Sequence, residues 1–136
     1  MLDLFADAEP WQEPLAPGAT ILRRFALSRA AALFDGIDTV TARSPFRHMV
    51  TPGGYTMSVA MTNCGELGWA TNERGYVYAA TDPLTDRPRP TMPAAFQALC
   101  HHAPLAPAYP ALRHVASPLH RYPPAPNPPL TPPSPH

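Results

Sequence analysis

Trp69 and Tyr76 flank the turn-forming stretch Thr71 to Gly75, so two flat rings sit on neighbouring short strands, where they can meet. Stacking accepts any π-face, and enzymes that work on an extruded base hold it against flat side chains of this kind. The same pattern also serves as a cross-strand core pair. Met57 and Met61, upstream, offer a soft apolar surface that adapts to different shapes. Arg47, Arg74, Arg87 and Arg89 can contact phosphates, although each taken singly also reads as a solvated surface residue. The late histidines, His101-His102, His114, His120 and His136, lack the tight spacing of a metal-ligand set.

Short elements must position these groups. Residues 1–19 contain Pro10, Pro14 and Pro17 and read as an irregular, extended arm. Thr20 to Phe25 has the β-branched and apolar content of a short strand. Ser28 suits the N-cap of a helix running to Thr41, with Ala31, Leu33, Phe34, Ile37 and Val40 near helical spacing. Gly36 weakens that helix and Ser44-Pro45 ends it. Pro52-Gly53-Gly54 marks a turn.

Tyr55 to Thr62 alternates as a strand does, with Tyr55, Met57, Val59 and Met61 on one face. Asn63-Cys64-Gly65 reads as a tight connection to a strand around Leu67–Ala70, and Tyr76-Val77-Tyr78 as a third strand. The expectation is a compact β-meander with one aromatic, Met-rich face. Pro93 fits the first position of a helix over Ala94 to His102, whose stripe is Phe96, Leu99 and Cys100. Beyond Pro104 the pattern dissolves; Leu112 to Tyr122 has room for a strand, although Pro118 argues against a central one.

With 136 residues the chain makes at most one small domain, and its last third is poor in core formers. The formal net charge of zero gives no bulk argument for nucleic-acid binding. Charge is unevenly distributed, however: every basic side chain is Arg, and no carboxylate side chain follows Asp86. Cys64 and Cys100 form no CxxC pair and no signal peptide precedes them, which fits a cytoplasmic protein with reduced thiols. No apolar run approaches the roughly 20 residues that span a bilayer.

The stretch from Pro45 to Trp69, with Thr51-Pro52-Gly53-Gly54-Tyr55-Thr56-Met57 at its centre, closely resembles the substrate-recognition segment of the AlkB family. These are iron- and 2-oxoglutarate-dependent dioxygenases that repair alkylated nucleic acid bases. The resemblance runs from Met1-Leu2-Asp3-Leu4-Phe5-Ala6 to about Tyr109-Pro110, with a last echo at Arg121-Tyr122. It implies that Trp69 stacks on a flipped base, that Tyr76, Val77 and Tyr78 line the nucleotide site, and that Thr51 lies near the phosphate backbone. Met57 and Met61 complete the substrate-binding set. The partner implied is alkylated single-stranded DNA or RNA, and the reaction is oxidative demethylation of 1-methyladenine and 3-methylcytosine using Fe(II), O2 and 2-oxoglutarate.

The resemblance also implies an Asn-Arg-Tyr motif followed by His-x-Asp. Here the related motif is His120-Arg121-Tyr122: Tyr122 and Arg121 match the co-substrate-binding strand, and His120 replaces the expected Asn. Thr131-Pro132-Pro133 stands where His-x-Asp is due. The expectation is therefore a chain that keeps the recognition lid, has no catalytic residue or metal ligand set, and binds neither Fe(II) nor 2-oxoglutarate productively.

After Tyr122 the family continues Ala-Pro-Gly-Ala-Lys, whereas this chain reads Pro123-Pro124-Ala125-Pro126-Asn127. GC-rich codons for the family sequence, read one base out of frame, encode that observed run, so a frame slip near Tyr122 is the expected origin of the tail. As an alternative, Pro123, Pro126, Pro129, Pro132 and Pro135 recur every third residue, the repeat of a polyproline II helix that docks on SH3- or WW-type grooves. A further alternative is a residual single-stranded nucleic-acid-binding module without catalysis.

The expected fold class is α+β: the N-terminal and recognition-lid part of a double-stranded β-helix (jelly roll), with most of the jelly-roll core missing. Residues 1–19 form the arm, 20–110 the AlkB-like region with its lid at about 45–90, and 111–136 a Pro-rich, disordered or frame-shifted tail. An aggregation-prone monomer without membrane contact completes the expectation.

Overall fold

The computed structural model describes residues 9–103 and 113–124. The elements in order are β1 (Trp11–Ala16), β2 (Ala19–Arg23), a 3-10 turn (Leu27–Arg29), α1 (Ala30–Arg43), β3 (Ala60–Gly65), β4 (Gly68–Asn72), β5 (Gly75–Ala79), α2 (Ala94–His101) and β6 (Ala116–Arg121). The strands form three two-stranded antiparallel sheets, β1–β2, β3–β6 and β4–β5. The architecture is α+β, with small sheets and two helices.

Several local expectations give way to pairing partners. Part of the supposed irregular arm is a strand: Trp11 to Ala16 pairs with β2, and the shift in register between Pro14 and Ala16 absorbs the proline. Ser28 is no helix cap. It lies in the 3-10 turn, and α1 starts after Arg29 with no side-chain cap. Of the expected stripe Val40 is buried, whereas Phe34 faces outward and Gly36 is buried in addition. Glycine at position 36 has a packing reason, since a Cβ there would lie 3.0 Å from Pro93 Cβ and 3.1 Å from Phe96 Cε1 of α2. Pro93 itself is the N-cap of α2 rather than its first residue.

The larger correction concerns the meander. Tyr55 to Val59 is not strand; β3 begins at Ala60 and continues through Asn63-Cys64-Gly65, the segment read as a tight connection. Its ladder partner is β6, from Ala60↔Arg121 to Gly65↔Ala116. Ala116–Arg121 is thus ordered strand inside the segment read as a Pro-rich tail. Pro118 is tolerated because β6 has a ladder on one side only, opposite Asn63. Pairing between segments so far apart in the sequence leaves no trace in local alternation. β3 is enclosed from Ala60 to Cys64, and with Val40 and Ala70 it supplies the small core. The proline repeat from residue 125 onward, Met1 to Ala6, and Tyr109-Pro110 lie outside the described residues.

Candidate nucleic-acid interface

The β4–β5 hairpin carries the rings. Its register pairs Gly68 with Ala79, Trp69 with Tyr78, Thr71 with Tyr76 and Asn72 with Gly75. Glu73 and Arg74 form the two-residue loop, where Asn72 Oδ1 accepts the Arg74 N–H at 2.8 Å and Gly75 adopts φ 143°. Alternation then puts Trp69, Thr71, Tyr76 and Tyr78 on one face and Val77 on the other. Trp69 and Tyr76 stack at 5.7 Å between centroids with planes 23° apart. Tyr76 and Tyr78 are about two-thirds exposed, so the face is open to solvent.

The loop bearing Thr51 folds beside this hairpin. Met57 N–H bonds Met49 C=O, Thr51 N–H bonds Tyr55 C=O, and Gly54, at φ 83°, closes the tip on Thr51 C=O. A groove of about 410 Å³ lined by Val50, Asn72, Glu73 and Arg74 joins that loop to the hairpin turn. Thr51 and Met57 are half-buried on the loop, whereas Met61 is 4% exposed and belongs to the core.

Beside Trp69 a cleft of about 220 Å³ is lined by Arg47, Met49, Asn63, Trp69, Leu84 and Arg89, among others. Beneath it lies a buried polar cluster that the sequence did not announce. Asp82 accepts Arg47 Nη1 at 2.5 Å, Arg47 Nη2 at 2.7 Å, Ser44 Oγ at 2.6 Å and the Leu84 N–H at 2.8 Å. Thr62 donates to Ser44 C=O at 2.7 Å, which ties the end of α1 to β3. Burial by itself pushes the Asp82 carboxyl up. The hydrogen bonds from Arg47, Ser44 and Leu84, with the Arg47 charge, overcome this and hold it well below the ordinary carboxylate range.

Two of the four candidate phosphate-binding arginines are therefore committed elsewhere. Arg47 belongs to Asp82. Arg89 is buried, donates from Nε to Ala79 C=O at 3.2 Å, and has an Nη1 without a partner. Burial lowers its pKa, which the Asp82 charge partly offsets and the Arg47 charge reinforces. Nothing in the sequence singled this cluster out, since Asp82 is one of four carboxylates, with Glu66, Glu73 and Asp86, between Arg47 and Arg89.

His120 and Tyr122 lie together on one side of β6 and just beyond it, with His120 Nδ1 3.2 Å from the Tyr122 hydroxyl. Arg121 places its guanidinium 4.7 Å from the Phe46 ring centroid. None of the three lines the Trp69 cleft. Among the described residues no three His, Cys, Asp or Glu side chains converge on a point that could hold a metal ion. Among the described residues no helix is long and apolar enough to cross a membrane.

Comparison with known proteins supplies the relationship. A profile of the 2OG-Fe(II) oxygenase superfamily matches residues 18–126. The alpha-ketoglutarate-dependent dioxygenase AlkB of Salmonella typhimurium is 59% identical over 122 residues, and that of Escherichia coli 60%. Each match covers 90% of this chain and 56% of the relative, so the chain spans little more than half the length of those proteins. An AlkB homolog of Caulobacter vibrioides is 42% identical over 69 residues, covering 51% of this chain and 31% of that protein. On the match across residues 18–126, the chain belongs to the 2OG-Fe(II) oxygenase superfamily, and its likeness is to the N-terminal part of the AlkB dioxygenases.

Proposed function

We propose that this chain is the base-recognition part of an AlkB-type repair dioxygenase and that residues 45–90 form its nucleotide-recognition lid. Its ligand is alkylated single-stranded DNA or RNA. The observation carrying this reading is the solvent-open aromatic face of the β4–β5 hairpin, with Trp69 stacked on Tyr76, in a chain so similar to AlkB. A base lays its π-face on these rings, Tyr78 extends the surface, and Thr51 and Arg74 flank the backbone path along the adjoining groove. Val77 is on the opposite face of the hairpin and is exposed there.

Full-length members of the family demethylate 1-methyladenine and 3-methylcytosine with Fe(II), O2 and 2-oxoglutarate. Tyr122, Arg121 and His120 are the residues assigned to the co-substrate side. In this reading the residues given are a recognition part without catalysis, since Thr131-Pro132-Pro133 stands where the family's His-x-Asp is due. It works in the cytoplasm as a monomer, a reading in keeping with Cys64 and Cys100 both being free thiols.

The test is binding of a fluorescein-labelled single-stranded oligonucleotide carrying one 3-methylcytosine, with Trp69→Ala alongside the native chain. Salt-sensitive binding that Trp69→Ala weakens supports the lid. Binding indifferent to Trp69 sinks it, and iron-dependent succinate formation by the purified chain sinks the assignment as a recognition part without catalysis.

A further inference from the structure

We propose that Asn63 is the positioning residue of the aromatic face, holding Trp69 in stacking register through both of that residue's main-chain polar groups. The inference rests on the base-stacking reading above. Asn63 is 1% exposed in β3. Its Nδ2 donates to Trp69 C=O at 2.8 Å, and its Oδ1 accepts the Trp69 N–H at 3.2 Å. A primary amide presents one acceptor and a donor side by side, as a peptide group of a neighbouring strand does. β3 has no ladder to β4, since its hydrogen-bonded neighbour is β6 and that of β4 is β5. One side chain thus replaces a strand pairing at the single residue that bears the Trp ring.

The consequence reaches the rings. Both main-chain polar groups of Trp69 point toward Asn63 and away from β5, so Trp69↔Tyr78 is a non-hydrogen-bonded pair, the kind whose side chains approach most closely. Tyr76 is the diagonal neighbour on the same face and meets Trp69 there. A two-stranded hairpin is marginal by itself, and this one is anchored at few points. Arg89 bonds Ala79 C=O at its open end, and Asn63 holds the next position along β4. Without the Asn63 amide, Trp69 leaves two main-chain groups unpartnered on the buried side, and β4 is free to rotate the ring off Tyr76.

The experiment uses the full chain with four variants: Asn63→Ala, Asn63→Asp, Trp69→Ala and the Asn63→Ala/Trp69→Ala double. The probe is the labelled single strand carrying one 3-methylcytosine, and near-UV circular dichroism reports the Trp–Tyr pair. Asn63→Ala weakens binding by roughly tenfold, the scale of a lost buried hydrogen-bond pair, and costs nothing further when Trp69 is already Ala. Asn63→Asp keeps the acceptor for the Trp69 N–H but sets a buried carboxylate oxygen against its C=O, and weakens binding at least as much as Ala. The near-UV signal drops in both variants while the far-UV spectrum stays native.

Equal losses with and without Trp69, or native affinity in a variant whose near-UV signal is intact, overturn the assignment. So does failure of both single Asn63 variants to fold, which would make Asn63 a folding residue. If Trp69→Ala binds as the native chain does, the stacking reading itself falls; the near-UV signal of Asn63→Ala still shows separately whether the amide holds the ring.

Discussion

Trp69 and Tyr76 lie ring over ring across the β4–β5 hairpin although they are diagonal neighbours; the residue directly opposite Trp69 is Tyr78. The pair closes on itself, so it presents a continuous two-ring platform and not a slot between rings. Tyr76→Ala removes the outer ring and leaves Trp69 unsupported. Loss of a base–aromatic contact is worth about 1–3 kcal/mol, so binding of a single strand should weaken roughly five- to 150-fold. Val77→Ala, on the opposite face, should change affinity less than about twofold by the same logic. Fluorescence anisotropy titrations of both variants check this pair of outcomes.

Acid should undo the fold through Asp82. Its carboxyl titrates below the unfolded value of about 3.9, so the charged form contributes stability that is fully present above that value. The contribution is lost as pH falls below about 4 toward the lower folded pKa. Asp82→Asn removes this slope and leaves the part-buried Arg47 without its counter-charge, a loss of about 2–3 kcal/mol, below the range for a fully buried pair. Urea midpoints of native and variant chains across pH 3–7 decide it: a native slope unchanged by Asp82→Asn would place the acid sensitivity elsewhere.

The two thiols should react on different schedules. Cys64 is fully enclosed in β3, its thiol is pushed up to about 11 by burial against a smaller opposing hydrogen bond to Ser117, and its Sγ donates to Ser117 C=O. Cys100 is only half-buried on α2. Iodoacetamide should label Cys100 in the native chain and Cys64 only after opening of the β3–β6 pair. Peptide mass spectrometry of a labelling time course reads this directly, and early modification of Cys64 would show that β6 separates readily from β3.

Two glycines should resist replacement for different reasons. Gly65 has φ 112°, and a Cβ there would lie 2.5 Å from Val115 O, a main-chain atom that cannot step aside. Gly65→Ala should cost at least about 2 kcal/mol. At Gly68 the obstruction is Arg89, whose Nε would lie 2.3 Å from the new Cβ. Gly68→Ala therefore expels the guanidinium from the hairpin's open end. Thermal melts of Gly68→Ala and Gly68→Ala/Arg89→Ala separate the clash from the lost anchor: a partial recovery in the double variant is expected.

Very few apolar side chains are fully enclosed among the described residues, namely Val40, Ala60, Met61, Cys64 and Ala70, while Phe34, Tyr55 and Leu15 stand exposed. With so small a core, each of the polar anchors at Asp82, Asn63 and Arg89 carries a large share of what fixes the elements together. The full chain should accordingly unfold at a low urea midpoint; a midpoint as high as that of a well-packed domain of this size would contradict it.

The amino-acid sequence by itself determined the family, through the stretch around Thr51 to Trp69. It also marked the turns at Pro52-Gly53-Gly54 and Thr71 to Gly75 and the existence of both helices. These are local signals: a turn needs particular residues at adjacent positions, and a helix needs its stripe. Only the tertiary structure decided that β3 pairs with β6, because a ladder between residues so distant along the chain leaves no local periodicity, and a strand buried on both faces shows no alternation. It alone showed that Asn63 is no turn residue but bonds Trp69, that Arg47 is paired with Asp82 and that Arg89 is buried, so neither is free for phosphate. A polar side chain looks the same in sequence whether it meets water or a buried partner; the partner is chosen by where distant segments come to rest.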